Sequence, residues 1–146
     1  MQVKSSTISL TVADVAGSAR FFLEHLGYRQ QMAAEGFASL TRDDAAVDLV
    51  FLQQGIDVLP ADQRDQQASG LIVALTVADL DAELTRLQGE GVTITLPLQE
   101  EEWGERLFQI KDPNAVVVEL VQWNEGSGPS AWAALPDAEA EHRHGS

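Results

Sequence analysis

LTVAD occupies residues 10–14, and the same five letters return at residues 75–79. Each copy closes a run of alternating apolar residues and opens a stretch with helical spacing. In TISLTV (7–12), Ile8, Leu10 and Val12 alternate with Thr7, Ser9 and Thr11. That period of two gives a strand one apolar and one polar face. Asp14 then stands where a carboxylate accepts from the free N–H groups of a first helical turn. Ala19, Phe22, Leu23 and Leu26 recur at helical spacing, and Gly27 stops the helix. The second copy repeats this plan. LIVALTV (71–77) leads to Asp79 as cap, Leu80, Leu84 and Leu87 share one helical face, and Gly89 and Gly91 end it. A unit has been duplicated, and the duplication dictates the architecture.

Working outward, the first half predicts further strands around Arg29–Ala33, Gly36–Thr41 and Ala46–Leu52, with RDD (42–44) as a hairpin turn. The second half predicts strands at Val92–Leu96, Arg106–Lys111 and Val116–Trp123, with Asp112-Pro113-Asn114 as the last turn. Each half is therefore βαβββ. The expected organisation is a first module over residues 1–55, a polar linker over 56–69, a second module over 70–124 and a flexible tail over 125–146. Within the tail, Ala131–Leu135 with Trp132 could dock on a partner subunit. The two His of the closing HRHGS are weak evidence for metal capture.

Composition narrows the function. Apolar residues make up 45% of the chain, enough for a real core, and the absence of Cys removes disulfides, thiol chemistry and thiolate zinc sites. The longest apolar run, LIVAL (71–75), is too short to span a bilayer, and the opening MQVKSSTISLTV reads as a strand rather than a leader, so a cytoplasmic location is expected. The net charge of −14 argues against nucleic acid and anionic membrane partners. Solubility alone accounts for it, and it also suits a cationic small molecule.

Two βαβββ units, each with a V-x-D cap and a helix ending in Gly, resemble the vicinal oxygen chelate superfamily, which groups glyoxalases, bleomycin resistance proteins and extradiol dioxygenases. WGERLFQIKDPNAVVVEL (103–120) is similar to that family's closing segment, and the likeness runs over residues 5–124. Residues Asn114-Ala115 stand where the family usually has a Gly in the turn. The resemblance implies an α+β fold in which two βαβββ modules form a curved mixed-sheet cup with helices on the outer face. It also implies four metal-ligand positions in the cup, two on the modules' first strands and two on their last. Carried over, these fall on Thr7, Ile72, Asp48 and Glu119.

That ligand set falls short. Ile72 carries no donor, Thr7 is a poor one, and Asp48 and Glu119 alone hold a hard ion weakly. His25, beside Glu24 on the first helix, is expected to face away. The reading therefore expects no cofactor and no divalent metal. Instead, it expects a pocket for a small-molecule ligand, cationic or planar and aromatic. Trp103 offers a stacking face, or else closes the hairpin mouth as a structural Trp. Phe37 is a second wall or a core residue, and Ser39 shares its face. Val50 shares the face of Asp48. Counted from Glu119 by analogy with the family's hairpin, the resemblance implies that Leu107 and Gln109 face the cup while Phe108 and Ile110 are core. Arg106 orients a polar group or is simply solvated.

Like charges on Asp48 and Glu119 would repel if both line one cup, and a cationic ligand would relieve this. The function the resemblance implies is non-catalytic sequestration of an antibiotic-like or toxic molecule, at the interface of a homodimer. The alternative is a lyase or dioxygenase of the glyoxalase superfamily with an atypical metal site.

Overall fold

A computed structural model describes residues 1–132. The expected tail beyond residue 132, with Leu135 and HRHGS, lies outside the described residues. Both LTVAD copies resolve to the same local geometry. Strand β1 (Ser6–Val12) leads to α1 (Val15–His25), where the Asp14 carboxylate accepts from the Gly17 N–H. Strand β5 (Ile72–Thr76) leads to α2 (Leu80–Gly89), where Asp79 accepts from Ala82. The two capping residues have nearly equal backbone angles, with φ −130° and −139° and ψ 93° in both. The repeated Asp satisfies the same orphan donors twice.

Three strands follow each helix. The first set is β2 (Arg29–Ala34), β3 (Phe37–Thr41) and β4 (Val47–Gln53), and the second is β6 (Ile94–Glu100), β7 (Glu105–Lys111) and β8 (Val117–Trp123). They make two four-stranded mixed sheets, ordered β1-β4-β3-β2 and β5-β8-β7-β6, so the fold is α+β. In the first sheet β1 runs parallel to β4, and the β2–β3 and β3–β4 pairs are antiparallel. Pro97 lies within β6, at one end of the second sheet's order, where a missing N–H costs no central ladder bond.

The chain divides into two compact units that do not follow the repeat. Residues 1–73 join residues 111–118 in one, and residues 74–110 lie with residues 119–132 in the other. In the first unit, Leu10, Val12, Ala38, Leu40, Leu49 and Phe51 are buried, as are Ala19 and Phe22 of α1 and Leu26 just after it. Phe22 meets the rings of Tyr28 and Phe51 at 5.4 and 5.2 Å between centroids. Burying such side chains stabilises a fold by about 1.5–3 kcal/mol each. Ile8 departs from the expected pattern. It shares the alternation of Leu10 and Val12 but is 51% exposed, near the start of its strand. In the second unit Leu80 and Leu87 of α2 are fully buried, along with Phe108 and Ile110 of β7.

The Asp112-Pro113-Asn114 turn fastens onto the start of α1. Asp112 is buried; its Oδ1 accepts from the N–H groups of Asn114 (2.8 Å) and Val116 (2.9 Å), and its Oδ2 accepts from the Ser18 hydroxyl (2.5 Å). The Asn114 amide donates to the Ser18 hydroxyl (2.6 Å) and to the Asp14 carbonyl (2.7 Å), and its oxygen accepts from the Asp14 N–H (3.1 Å). Ala115 takes φ +64°, the left-handed region that an L side chain enters at a cost of about 1–2 kcal/mol. The turn thus keeps the conformation a Gly would favour, with Ala in its place.

Residues 124–132 are not a featureless tail. A short helix, α3 (Pro129–Trp132), brings the Trp132 ring edge-on to Trp123 at 5.5 Å.

Two expected outcomes follow from the turn. Asp112→Ala strands the Val116 N–H and the Ser18 hydroxyl and should cost about 2–4 kcal/mol, read as a lower urea midpoint with an unchanged slope. Ala115→Gly relieves the left-handed strain but adds freedom to the unfolded chain, so a net gain of about 0.5–1 kcal/mol should raise the melting temperature.

Candidate functional site

Pairing in the first sheet lays out a grid of side chains on the face opposite α1. Register partners share a face, and alternate residues along a strand return to it. The first row is Thr7 and Asp48, joined by Thr41 through its hydrogen bond to Asp48; the second is Ser9, Val50 and Ser39; the third is Thr11, Leu52 and Phe37. Their alternating neighbours Leu10, Leu49, Phe51, Ala38 and Leu40 are buried toward the core. Five of the residues singled out from sequence therefore share one face: Thr7, Asp48, Val50, Ser39 and Phe37. Thr7 and Ser9 are exposed, and Asp48, Val50, Ser39 and Phe37 are half-buried.

Asp48 is held by its neighbours. The nearly buried Thr41 hydroxyl donates to its Oδ1 at 2.6 Å, and the Gln31 amide reaches its Oδ2 at 3.5 Å. Gln31 also accepts from the Ser39 hydroxyl at 3.2 Å. Thr41, Gln31 and Leu52 were not singled out from sequence. Alternation onward from Ser39 and from Val50 would have found Thr41 and Leu52, whereas Gln31 depends on a strand irregularity that no pattern announces. Near this corner, burial raises the Tyr28 phenol above the usual tyrosine range; Arg42 opposes the rise, and Asp44 and Asp48 add to it. The Arg42 guanidinium lies 5.9 Å from the centre of the Tyr28 ring.

In the second sheet, Glu119 of β8 accepts from the Gln109 amide of β7 at 2.9 Å. Leu107 shares the alternation of Gln109 but is buried, which leaves it little surface for a ligand. Arg106 is engaged by Asp81 at 3.2 Å. Ile72, on β5, is half exposed.

Trp103 sits in the turn between β6 and β7 and is 60% exposed. The segment after β8 fixes that turn. Asn124 donates its N–H to the Gly104 carbonyl (2.8 Å) and its amide to Glu100 (2.7 Å). Gly104 has φ +90°, and a Cβ there would lie 2.4 Å from the Ser127 hydroxyl. The residue after Trp103 must therefore be Gly for both conformation and space.

The donor chemistry does not suit a metal. Of the four positions that the resemblance assigns, Ile72 has no donor atom, and both carboxylates already accept hydrogen bonds within the chain. Among the described residues no group of three or more His, Asp or Glu side chains is arranged to hold an ion.

Residues 4–120 match the family model described as the Glyoxalase/Bleomycin resistance protein/Dioxygenase superfamily. The chain belongs to that superfamily. Solved structures of the same fold include a glyoxalase/bleomycin resistance protein/dioxygenase from Nocardioides, with a TM-score of 0.69 and 22% identity over 88% of this chain and 89% of that one. TnmS3, described as an antibiotic binding protein from Streptomyces, aligns with a TM-score of 0.65 and 22% identity over 84% of this chain and 98% of its own. TioX from Micromonospora gives 0.64 and 21% over 84% and 100%. No curated protein matches the chain significantly. Among the described residues, no helix of this superfamily member is long and apolar enough to cross a membrane.

The Tyr28 shift carries a pH consequence. Its pKa is raised in the folded state, so the unfolded chain ionises first and stability falls as pH rises through about 10 and beyond. Tyr28→Phe should flatten that part of a melting-temperature profile taken between about pH 9 and 11.

Proposed function

We propose that this superfamily member is a non-catalytic binding protein that sequesters an antibiotic-like or toxic small molecule, without a metal, in a groove at a homodimer interface. One observation carries the reading: the positions expected to hold a metal present a hydrocarbon, a hydroxyl and two carboxylates already engaged by Thr41 and Gln109. Side chains that satisfy one another form a preorganised surface for a guest, because little reorganisation is needed when it arrives. The antibiotic-binding description of TnmS3 supports the same role. The ligand is cationic or planar and aromatic: a cation drawn in by the chain's net charge of −14 suits Asp48, and, independently, the exposed indole of Trp103 suits a planar ring. The protein works in the cytoplasm and protects its host by holding the molecule rather than altering it.

A thermal-shift panel of divalent metals and DNA-damaging antibiotics tests this, since a bound guest raises the melting temperature by mass action. A hit should be recovered from the complex chemically unchanged; a transformed product would replace sequestration with catalysis. Near-stoichiometric retention of a first-row metal after dialysis would overturn the metal-free part. Trp103→Ala should weaken the hit by about 1–3 kcal/mol in calorimetry. Asp48→Asn should weaken cationic guests and leave neutral analogues unaffected.

A further inference from the structure

We infer that Met32 is a ligand-contacting residue of the first-sheet face, forming with Phe37 an apolar wall for a planar aromatic cation whose charge sits over Asp48. This rests on the binding function proposed above and extends it to a residue and a ligand class.

The inference starts from a break in register. In β2, Gln30 pairs with Leu40 and Met32 with Ser39, so Gln31 is an extra residue in the strand. Strict alternation would place Gln31 and Met32 on opposite faces. A bulge instead sets two residues against one partner and re-aims a side chain. Gln31 bonds Ser39 and Asp48, which fixes it to the ligand face. Met32 is the register partner of Ser39, which places it on that face too. The second row of the grid therefore runs Ser9, Val50, Ser39, Met32. Phe37 is diagonal to Met32 across the β2–β3 pair.

Met32 is 61% exposed. Its neighbours supply the remaining parts of a site. Phe37, Val50 and Leu52 are half-buried apolar surface, and Asp48 is the carboxylate one row away. Strand spacing and rise put the Met32 and Asp48 Cα atoms about 12 Å apart, a span that a three-ring planar molecule bridges. Arg29, at the near end of β2, is held by Asp43 at 2.7 Å and so does not compete for Asp48. A thioether is polarisable, unbranched and able to follow a ring edge, which suits it to this wall.

The chain has two methionines, which allows an internal comparison in a footprinting experiment on the full-length protein. Hydrogen peroxide transfers one oxygen atom to a thioether sulfur, giving the sulfoxide and water. Met1 and Met32 are both exposed and should oxidise at similar rates in the free protein, followed by peptide mass spectrometry. Ethidium, a planar aromatic cation, is the probe. At about 90% occupancy Met32 should oxidise about tenfold more slowly, because only the free fraction reacts, while Met1 is unchanged. Met32→Ser should weaken ethidium about tenfold, and Met32→Leu should keep affinity within about threefold.

Ethidium binding with no protection of Met32 overturns the inference and leaves sequestration standing. Failure of ethidium to bind overturns the ligand class proposed here, and the antibiotic panel then judges sequestration separately. Slow oxidation of Met32 without any probe shows that the residue is already covered, and also overturns the inference.

Discussion

The Asp112 carboxylate is the constraint on which the first unit depends. It is buried, so its oxygens need donors. It finds them in its own turn and in Ser18 of α1. Asn114 completes the arrangement by bonding Asp14, the residue that caps the same helix. A turn separated from Asp14 by 100 residues thus fixes where α1 starts. Since α1 covers one face of the first sheet, its placement leaves the opposite face to carry Thr7, Asp48 and Ser39. The strain at Ala115 is the accompanying cost, and the hydrogen bonds around it exceed that cost.

That opposite face is polar at one corner and apolar at the other. The polar corner is Asp48 with Thr41 and Gln31, and the apolar one is Phe37 with Leu52. A carboxylate engaged by a threonine hydroxyl is oriented without an ion, and an isoleucine offers an ion nothing. The same reasoning applies within the second sheet, where Gln109 engages Glu119. In both sheets a neutral donor holds a carboxylate in place.

Much of the fold was legible in the chain. The repeated LTVAD announced two capped helices, and both Asp residues cap as their chemistry requires. Period two in TISLTV separated Thr7, Ser9 and Thr11 from Leu10 and Val12. Each of these is a local rule: a carboxylate near free N–H groups, or side chains alternating on a pleat. The exposure of Ile8 and the burial of Leu107 escaped the same rules, because exposure depends on what other segments cover. The folding-back of residues 124–132 was missed because Gly and Ser also build tight contacts, as Gly104 against Ser127 shows.

The sequence by itself determined the duplicated βαβββ plan, the helix caps and the polar face of the first strand. These depend on residue identity and spacing alone. Only the tertiary structure decided that Asp48 is engaged by Thr41 and Gln31, that a bulge brings Gln31 and Met32 to one face, and that the Asp112 turn grips Ser18 and Asp14. Those outcomes depend on register between strands and on contacts between residues far apart in the chain, and neither is encoded in any local period.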